Sequence, residues 1–291
     1  MTRKIIPVIL FVLAASVSLP LTSGAATVGN IASSQGGGGG ASVGVEYDRV
    51  FSRDLELSSG SRTQNTNGVI SYASFPSSGD NIHDMKMESN RVLVKGTLGF
   101  HQDIDLDLFL KVGIADVKWK AKHAFAAAAE QDLEFDGEAD VAWGGGAKFG
   151  FYQFASGLKI MGDIQYLTYE VSGNYTINGI DRATFETPAS YDTKTKIEEW
   201  QAALYVQQFF GPIGPYLGAK YSDLTLVNEV NVSRRTSVPY SYEERTRADA
   251  KKNLGVFLGA DFNVLPKHLS LNVEVRLVDE TSASIGVNYK F

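Results

Sequence analysis

The segment Ser282–Phe291 constrains this chain more than any other. Ala283, Ile285, Val287, Tyr289 and Phe291 share one parity, and Ser282, Ser284, Gly286, Asn288 and Lys290 share the other. A strict period of two places alternate side chains on opposite faces of an extended chain, which is the pattern of a β-strand. The same alternation recurs upstream, and it predicts strands over 41–54, 90–100, 104–118, 138–151, 158–171, 195–209, 215–229, 248–263, 268–278 and 281–291. Short connections (101–103, 152–157, 210–214, 264–267) take turns with long polar ones (55–89, 119–137, 172–194, 230–247), and a tight hairpin at Asp279-Glu280 closes the series. An even number of strands with turns short at one end and long at the other is the organisation of a membrane-spanning antiparallel barrel. Ten strands are expected, with eight to twelve allowed by the ambiguity within 55–89, where Val69-Ile70-Ser71-Tyr72 can extend a strand beyond the membrane.

The opposite end of the chain carries an export pattern. Arg3 and Lys4 precede the apolar run Ile5–Leu13, and small residues follow at Ser23-Gly24-Ala25-Ala26. This is the order of a secretory signal peptide, residues 1–25, cut after Ala25 or Ala26. The run is interrupted by Pro7, Ser16 and Pro20, short of the roughly 20 apolar residues a spanning helix requires. Residues 26–40, ending in Gly36–Gly40, are expected to form a flexible leader, and residues 41–291 a single barrel. The chain has no Cys, which excludes both disulfides and a lipid-modified Cys anchor. A net charge of −6 gives no nucleic-acid footprint. An apolar content of 44% suits a barrel in which only alternate residues meet lipid.

Aromatic placement follows the same logic. Phe100, Phe151, Phe209, Phe210, Tyr216 and Phe262 sit beside short turns and are expected to form a girdle at the inner interface, joined by Tyr152 and Phe291. Trp143, Tyr166, Trp200 and Tyr221 form a second belt toward the long connections. Ten tilted steps from Trp200 to Phe210 span about 25 Å, the height of an outer-membrane apolar band. The predicted lipid face includes Ile104, Leu106, Leu108, Leu110, Val112, Ile164, Leu204, Val206, Leu254, Val256, Leu258, Val273 and Val275.

The opposite parity is charged. Glu46, Asp48, Asp105, Asp107, Asp163, Glu199, Asp261 and Glu274 face the expected lumen, together with Lys95, Lys111, Lys148, Lys159, Lys220, Arg276 and Lys290. Acids and bases nearly balance, which favours a paired interior over a single-signed ion filter, because an unpaired buried charge is costly. Phe109, Tyr205 and Phe257 add bulk, whereas inward glycines such as Gly113, Gly144, Gly146, Gly218, Gly255 and Gly259 would leave space. A ring of ten strands encloses a narrow lumen at most.

Candidate chemistry is sparse. His101 and His268 lie in short turns, and His83-Asp84 and His123 in long connections, with no nucleophile placed beside them by any motif. Asp103, Asp105 and Asp107 repeat at about 7 Å along one strand face, too far apart for one hard cation, and Lys95 and Lys111 are their expected partners. No catalytic, cofactor-binding or metal site is expected. Arg234-Arg235 and Glu243-Glu244-Arg245-Thr246-Arg247 offer guanidinium groups to lipopolysaccharide phosphates or a glycan.

The alternating strands, the terminal Phe291 and the two aromatic belts together resemble the small bacterial outer-membrane β-barrel superfamily of opacity-type, OmpX-like and OmpW-like proteins. The resemblance is architectural and points to no single member; OmpW-like barrels have eight strands, and ten are counted here. It implies an outer-membrane location in a Gram-negative cell, contact with lipid and lipopolysaccharide, and a monomer. It also implies that Ile285, Val287, Tyr289 and Phe291 are read by the barrel-insertion machinery. The function it implies is non-enzymatic, an envelope-structural or surface-binding barrel whose extracellular ligand is unknown. The alternatives are a narrow passive channel for small solutes and a barrel enzyme of omptin or lipid-A-modifying type.

Overall fold

The computed structural model describes residues 40–75, 80–101, 105–125, 129–181, 190–234, 239–265 and 268–291. The expected signal peptide, nearly all of the Gly-rich leader, Asp103, Ile104 and Arg235 lie outside these residues. The strands are β1 (Gly40–Thr66), β2 (Val69–Phe75), β3 (Asp80–His101), β4 (Asp105–Phe125), β5 (Gln131–Gly137), β6 (Asp140–Gln153) and β7 (Lys159–Ile177). They continue with β8 (Ile180–Asp181), β9 (Ser190–Gln207), β10 (Ile213–Arg234), β11 (Tyr240–Ala250), β12 (Leu254–Leu265), β13 (Leu269–Leu277) and β14 (Glu280–Lys290).

Ten of these strands pair antiparallel in a ring that returns on itself. The order is β1, β3, β4, β6, β7, β9, β10, β12, β13, β14, and β14 pairs back onto β1 from Ser42↔Lys290 to Arg53↔Glu280. The count is the one expected from alternation.

Above this wide ring the described residues of the long connections are mostly strand. β1, β3, β4, β7, β9 and β10 run on through them as continuous strands, and the ring changes its members. β5 takes the place of β6 between β4 and β7, and β11 takes the place of β12, β13 and β14 between β10 and β1. Eight strands therefore make up a narrower upper ring, joined at its base where Leu55 pairs with both Ala250 and Met85; higher up, the edge of β1 away from β11 pairs with β2, from Gly60↔Phe75 to Thr66↔Val69. Two hairpins inside these segments turn on Asn67-Gly68 (φ 51° and 84°) and Asn178-Gly179 (φ 52° and 73°). Successive positive φ values define the two-residue turn that matches strand twist, and Asn-Gly is the pair that adopts it most readily.

Along β4 and β10 parity is constant while polarity reverses. In β4, Leu108, Leu110, Val112 and Ile114 face outward and are exposed in the wide ring; Asp107, Phe109 and Lys111 face inward and are buried. Past Ile114 the same outward parity carries Lys118 and Lys120, and the same inward parity carries Ala115, Val117, Trp119 and Ala121. β10 does likewise, with Lys220 and Ser222 buried below Leu224, Leu226, Val230 and Val232. A ring of eight strands is just filled by its inward side chains, which is why narrowing permits a packed apolar core.

Candidate functional site: the charged lumen

The interior of the wide ring holds a cross-linked set of charges. Arg53 on β1 is fully buried and its guanidinium reaches Glu199 on β9, 2.6 Å away and on the opposite side of the ring. Arg53 also donates to the Ser222 carbonyl at 3.0 Å and lies 3.4 Å from Glu280. Arg91 from β3 approaches the other oxygen of Glu199 at 2.9 Å, and Ser222 donates to Glu199 at 2.9 Å. Lys220 sits between Glu280 (2.6 Å) and Asp279 (2.9 Å). Arg276 pairs with Asp48, Glu274 (3.2 Å) and Glu280 (3.3 Å). These groups come from β1, β3, β9, β10, β13 and β14 and from the tight turn at Asp279, so the network ties both halves of the ring together.

A second set lies lower. Glu46 takes both Lys95 and Lys111 (2.7 Å for Lys111), and Lys111 also donates to Gln165 at 3.2 Å. Lys95 and Lys111 thus close on Glu46, and Asp105 pairs with Lys159 at 3.7 Å. Strand β1 brings a carboxylate, Glu46, between the two lysines, a partner that spacing within β4 does not indicate. Lys95, Lys111 and Lys148 surround the Phe109 ring at 5.9, 5.1 and 6.0 Å, within cation–π range. Asp107, Lys148 and Asp163 are buried, with Asp107 opposite Lys148 and Lys148 opposite Asp163 in register.

A third set closes the lower end near β10, β12 and β13. Tyr216 donates to Glu274 at 2.9 Å, Asn272 bonds Tyr216 (3.0 Å) and Asp261 (2.7 Å), and Gln207 bonds Asp261 (2.6 Å). Tyr205, Tyr216 and Phe257 pack with Met161 around them. Tyr216 therefore does not belong to the interfacial girdle. It is 4% exposed because its parity is that of Gly218, Lys220 and Ser222, whereas Leu217 and Tyr221 take the outward positions. Phe100, Phe151 and Phe210 are exposed, and Phe209 and Phe262 are half-buried.

At Gly113, Gly144, Gly146, Gly218, Gly255 and Gly259 the space beside the glycine is already occupied. A Cβ on Gly146 would lie 2.7 Å from the tip of Phe109, and one on Gly218 would lie 2.6 Å from the tip of Phe257. Each large ring occupies the room its neighbour's missing side chain provides. Lys290, Lys148, Asp107 and Phe109 do border a cavity near the lower mouth, but its volume is about 20 Å³, room for a single water.

Above the charges, the narrow ring is packed with apolar side chains. Trp119 stacks on Phe135 at 6.0 Å and tilts against Tyr175 at 5.6 Å, and its indole donates to Thr195 at 3.1 Å, which in turn donates to Asn228 at 2.9 Å. Leu133, Leu167, Tyr169, Val171, Ile197, Leu224, Leu226 and Tyr242 complete this core. The outer wall of the same ring carries the ion pairs Lys118–Asp136 (2.8 Å), Lys120–Glu134 (2.9 Å), Lys122–Glu130 (2.7 Å) and Lys196–Glu198 (2.7 Å). The hydrogen bond from Lys122 holds the Glu130 carboxyl below its ordinary range.

The remaining candidates fall outside the lumen. His83 approaches Glu130 at 3.1 Å and Asp84 at 4.0 Å on the upper rim, and no group of three metal-ligating side chains exists among the described residues. Ile285 and Phe291 are exposed, and Val287 and Tyr289 are half-buried, on the outward face of β14 and at its end. Arg53, Arg91, Asp279 and Glu280 were missed by the sequence reading. A bulge in β1 between Val50 and Ser52 shifts the parity that would have placed Arg53 outside. Arg91 and Glu280 stood on an inward parity already assigned, and Asp279 lies in a turn that alternation does not describe.

No protein-family model matches the chain, and no curated protein does. Among solved structures it is similar to the outer membrane protein OprG from Pseudomonas aeruginosa, at 11% identity and a TM-score of 0.40, over 90% of this chain and 99% of that one. It is also similar to the translocator domain of the autotransporter NalP from Neisseria meningitidis (12% identity, TM-score 0.37, covering 89% and 90%). A third is the transport unit of the autotransporter AIDA-I from Escherichia coli (13% identity, TM-score 0.38, covering 97% of each chain).

Proposed function

We propose that this chain is a non-enzymatic outer-membrane β-barrel with a sealed lumen, which anchors a water-facing upper ring at the cell surface for an envelope-structural or surface-binding role. The observation that carries this reading is the Arg53–Glu199 pair, which crosses the full width of the ring between β1 and β9 and is buried at both ends. An open pore has no use for such a strut, and the apolar core above it would block solute passage independently. The exposed band of Leu108, Leu110, Val112 and Ile114, repeated on the neighbouring strands, supports insertion in a bilayer. The contiguous row Trp143, Tyr166 and Trp200, with ring separations of 6.1 and 4.8 Å, supports a membrane boundary at its upper edge. Contact with lipid and lipopolysaccharide, export through a cleaved signal and reading of the Ile285–Phe291 strand by the insertion machinery belong to the same proposal.

The test is conductance of the refolded protein in planar bilayers. Sealed protein gives no steady current. A stable, frequent open state whose ion selectivity shifts on Lys111→Glu would overturn the reading in favour of a channel.

A further inference from the structure

The outer wall of the narrow ring is not uniform. Most of its charges are matched pair by pair, but across β1, β11 and β10 the surface is hollow. Ser59, Gly60, Ser61, Val227, Arg245 and Arg247 line a groove of about 320 Å³. Its origin is local. β1 slips register between Leu57 and Ser59, leaving Ser58 as the extra residue, whose hydroxyl donates to the Arg247 carbonyl at 3.2 Å. Such a bulge bends its strand and increases the local twist. The residues that follow on β1 are small: Ser59 stands opposite Arg247, and Ser61 opposite Arg245. Two arginines therefore rise beside a wall of serines and a glycine.

The arginines are held by one edge. Arg245 is fixed through Nε by Glu229 at 3.4 Å; Arg247 is fixed through Nε by Asp249 at 3.2 Å and through Nη2 by Thr225 at 3.1 Å. Their side chains remain 62% and 53% exposed. Two residues apart on one strand face, the two forks stand about 7 Å from each other, a spacing that admits one tetrahedral oxyanion between them. Guanidinium forks bind such anions with paired hydrogen bonds that an ammonium cannot reproduce.

We infer that the Ser59–Ser61/Arg245–Arg247 groove is a binding site for a phosphate group carried on a saccharide. The arginines would take the phosphate, the serine hydroxyls and the carboxylates of Glu229 and Asp249 the sugar hydroxyls, and Val227 the apolar face of the sugar ring. The groove is in the size range of small-ligand pockets and has room for more than a bare phosphate. Its height also favours a saccharide. Arg247 lies opposite Val227, six residues beyond Tyr221 of the upper aromatic belt, or about 15 Å above the lipid boundary, and Arg245 about 5 Å further. That is the level of carbohydrate outside a membrane rather than of lipid headgroups. The inference rests on the surface-facing orientation proposed above, and two sources share this chemistry: a phosphorylated sugar of a neighbouring lipopolysaccharide and a soluble phosphorylated glycan.

The experiment uses the full chain refolded in lipid nanodiscs. The soluble probe is the phosphorylated core oligosaccharide released from lipopolysaccharide, compared with the same oligosaccharide after phosphatase treatment. Intact and phosphatase-treated lipopolysaccharide in the nanodisc form the second arm, which separates the membrane source from the soluble one. The wild-type protein should bind the phosphorylated probe in one arm or both, at least tenfold more tightly than its dephosphorylated form. Arg245→Gln/Arg247→Gln should lose that preference, and Lys118→Gln/Lys120→Gln, on a different sector of the wall, should keep it. Ser61→Trp, which fills the groove and leaves both arginines, should also abolish binding, with folding of each variant checked by heat-modifiable mobility. Equal binding of phosphorylated and dephosphorylated probes, undiminished binding by the double arginine variant, or no binding in either arm would overturn the inference. A conducting wild-type pore would contradict the sealed lumen and leave the groove result standing.

Discussion

The two rings solve opposite solvation problems with the same six strands. In the wide ring the exterior is apolar and the interior is charged; in the narrow ring the exterior is charged and the interior is mainly apolar, with Thr195, Asn228 and Glu244 as buried polar members. In β1 a bulge between Val50 and Ser52 shifts the parity near the junction, but in β4 the backbone continues unchanged. β4 keeps one parity from Asp107 to Ala121, and only the identity of the side chains reverses, between Ile114 and Lys118. The lesson is that alternation fixes which residues share a face, and the solvent at that height fixes which face is apolar. The interiors are also held differently. The wide ring depends on directional pairs that fail when one partner is lost. The narrow ring depends on area removed from water, about 1.5–3 kcal/mol for each large apolar side chain fully buried.

This contrast can be broken at graded positions. The largest effect is expected from Arg276→Ala, which leaves Asp48, Glu274 and Glu280 without their shared guanidinium; loss of one partner in a buried ionic cluster costs about 3–5 kcal/mol. Urea titration in lipid vesicles reads the loss, and a change under 1 kcal/mol would mean that the cluster does not brace the ring. Trp119→Ala should cost a comparable amount, about 3–5 kcal/mol, by opening a cavity beside Phe135 and Tyr175. The two should differ in salt dependence no more than buried groups do, so both losses should persist at high ionic strength.

Next comes the exterior. Leu110→Arg, at a position 75% exposed within the apolar band, should destabilise by about 2–4 kcal/mol if it meets lipid. Lys120→Leu, on the same parity ten residues later, should change stability by well under 1 kcal/mol, since its pair with Glu134 is exposed. Reversal of that ranking in the vesicle titration would place the boundary elsewhere. The smallest effect concerns protonation. Lys122→Gln should raise the titration midpoint of Glu130, whose carboxyl the lysine holds low, and carbon-detected NMR of that carboxyl follows it. The sign follows from the lowered value: any stabilisation from this pair is present above the unfolded carboxylate pKa and fades as pH falls through the folded one.

Much of this was legible in the sequence. The ten strands of the wide ring, their inward and outward faces and most of the charges between them follow from period-two alternation alone. The narrow ring was hidden by its composition. Segments such as 119–137 and 230–247 are rich in Lys, Glu, Asp and Thr, which suggests loops, yet Trp119, Ala121, Leu133 and Phe135 alternate with those charges as faithfully as Leu108 alternates with Asp107. The alternation had only changed sign. Asn67-Gly68 and Asn178-Gly179 were further signals, since each marks a tight hairpin inside a segment otherwise assigned to a loop. Tyr216 was misplaced for the opposite reason: proximity to a turn was given more weight than parity.

The reversal along β4 is the central claim, and it can be measured directly because the chain has no native Cys. Single cysteines at Leu108, Leu110, Val112, Ile114, Asp116, Lys118 and Lys120 can each carry an environment-sensitive fluorophore in protein refolded into vesicles. The account predicts lipid-like emission, quenched by lipid-borne quenchers, from 108 through 114, and water-like emission quenched only by soluble ions from 116 through 120. Lipid-like emission continuing to Lys120, or water-like emission already at Leu110, would contradict it.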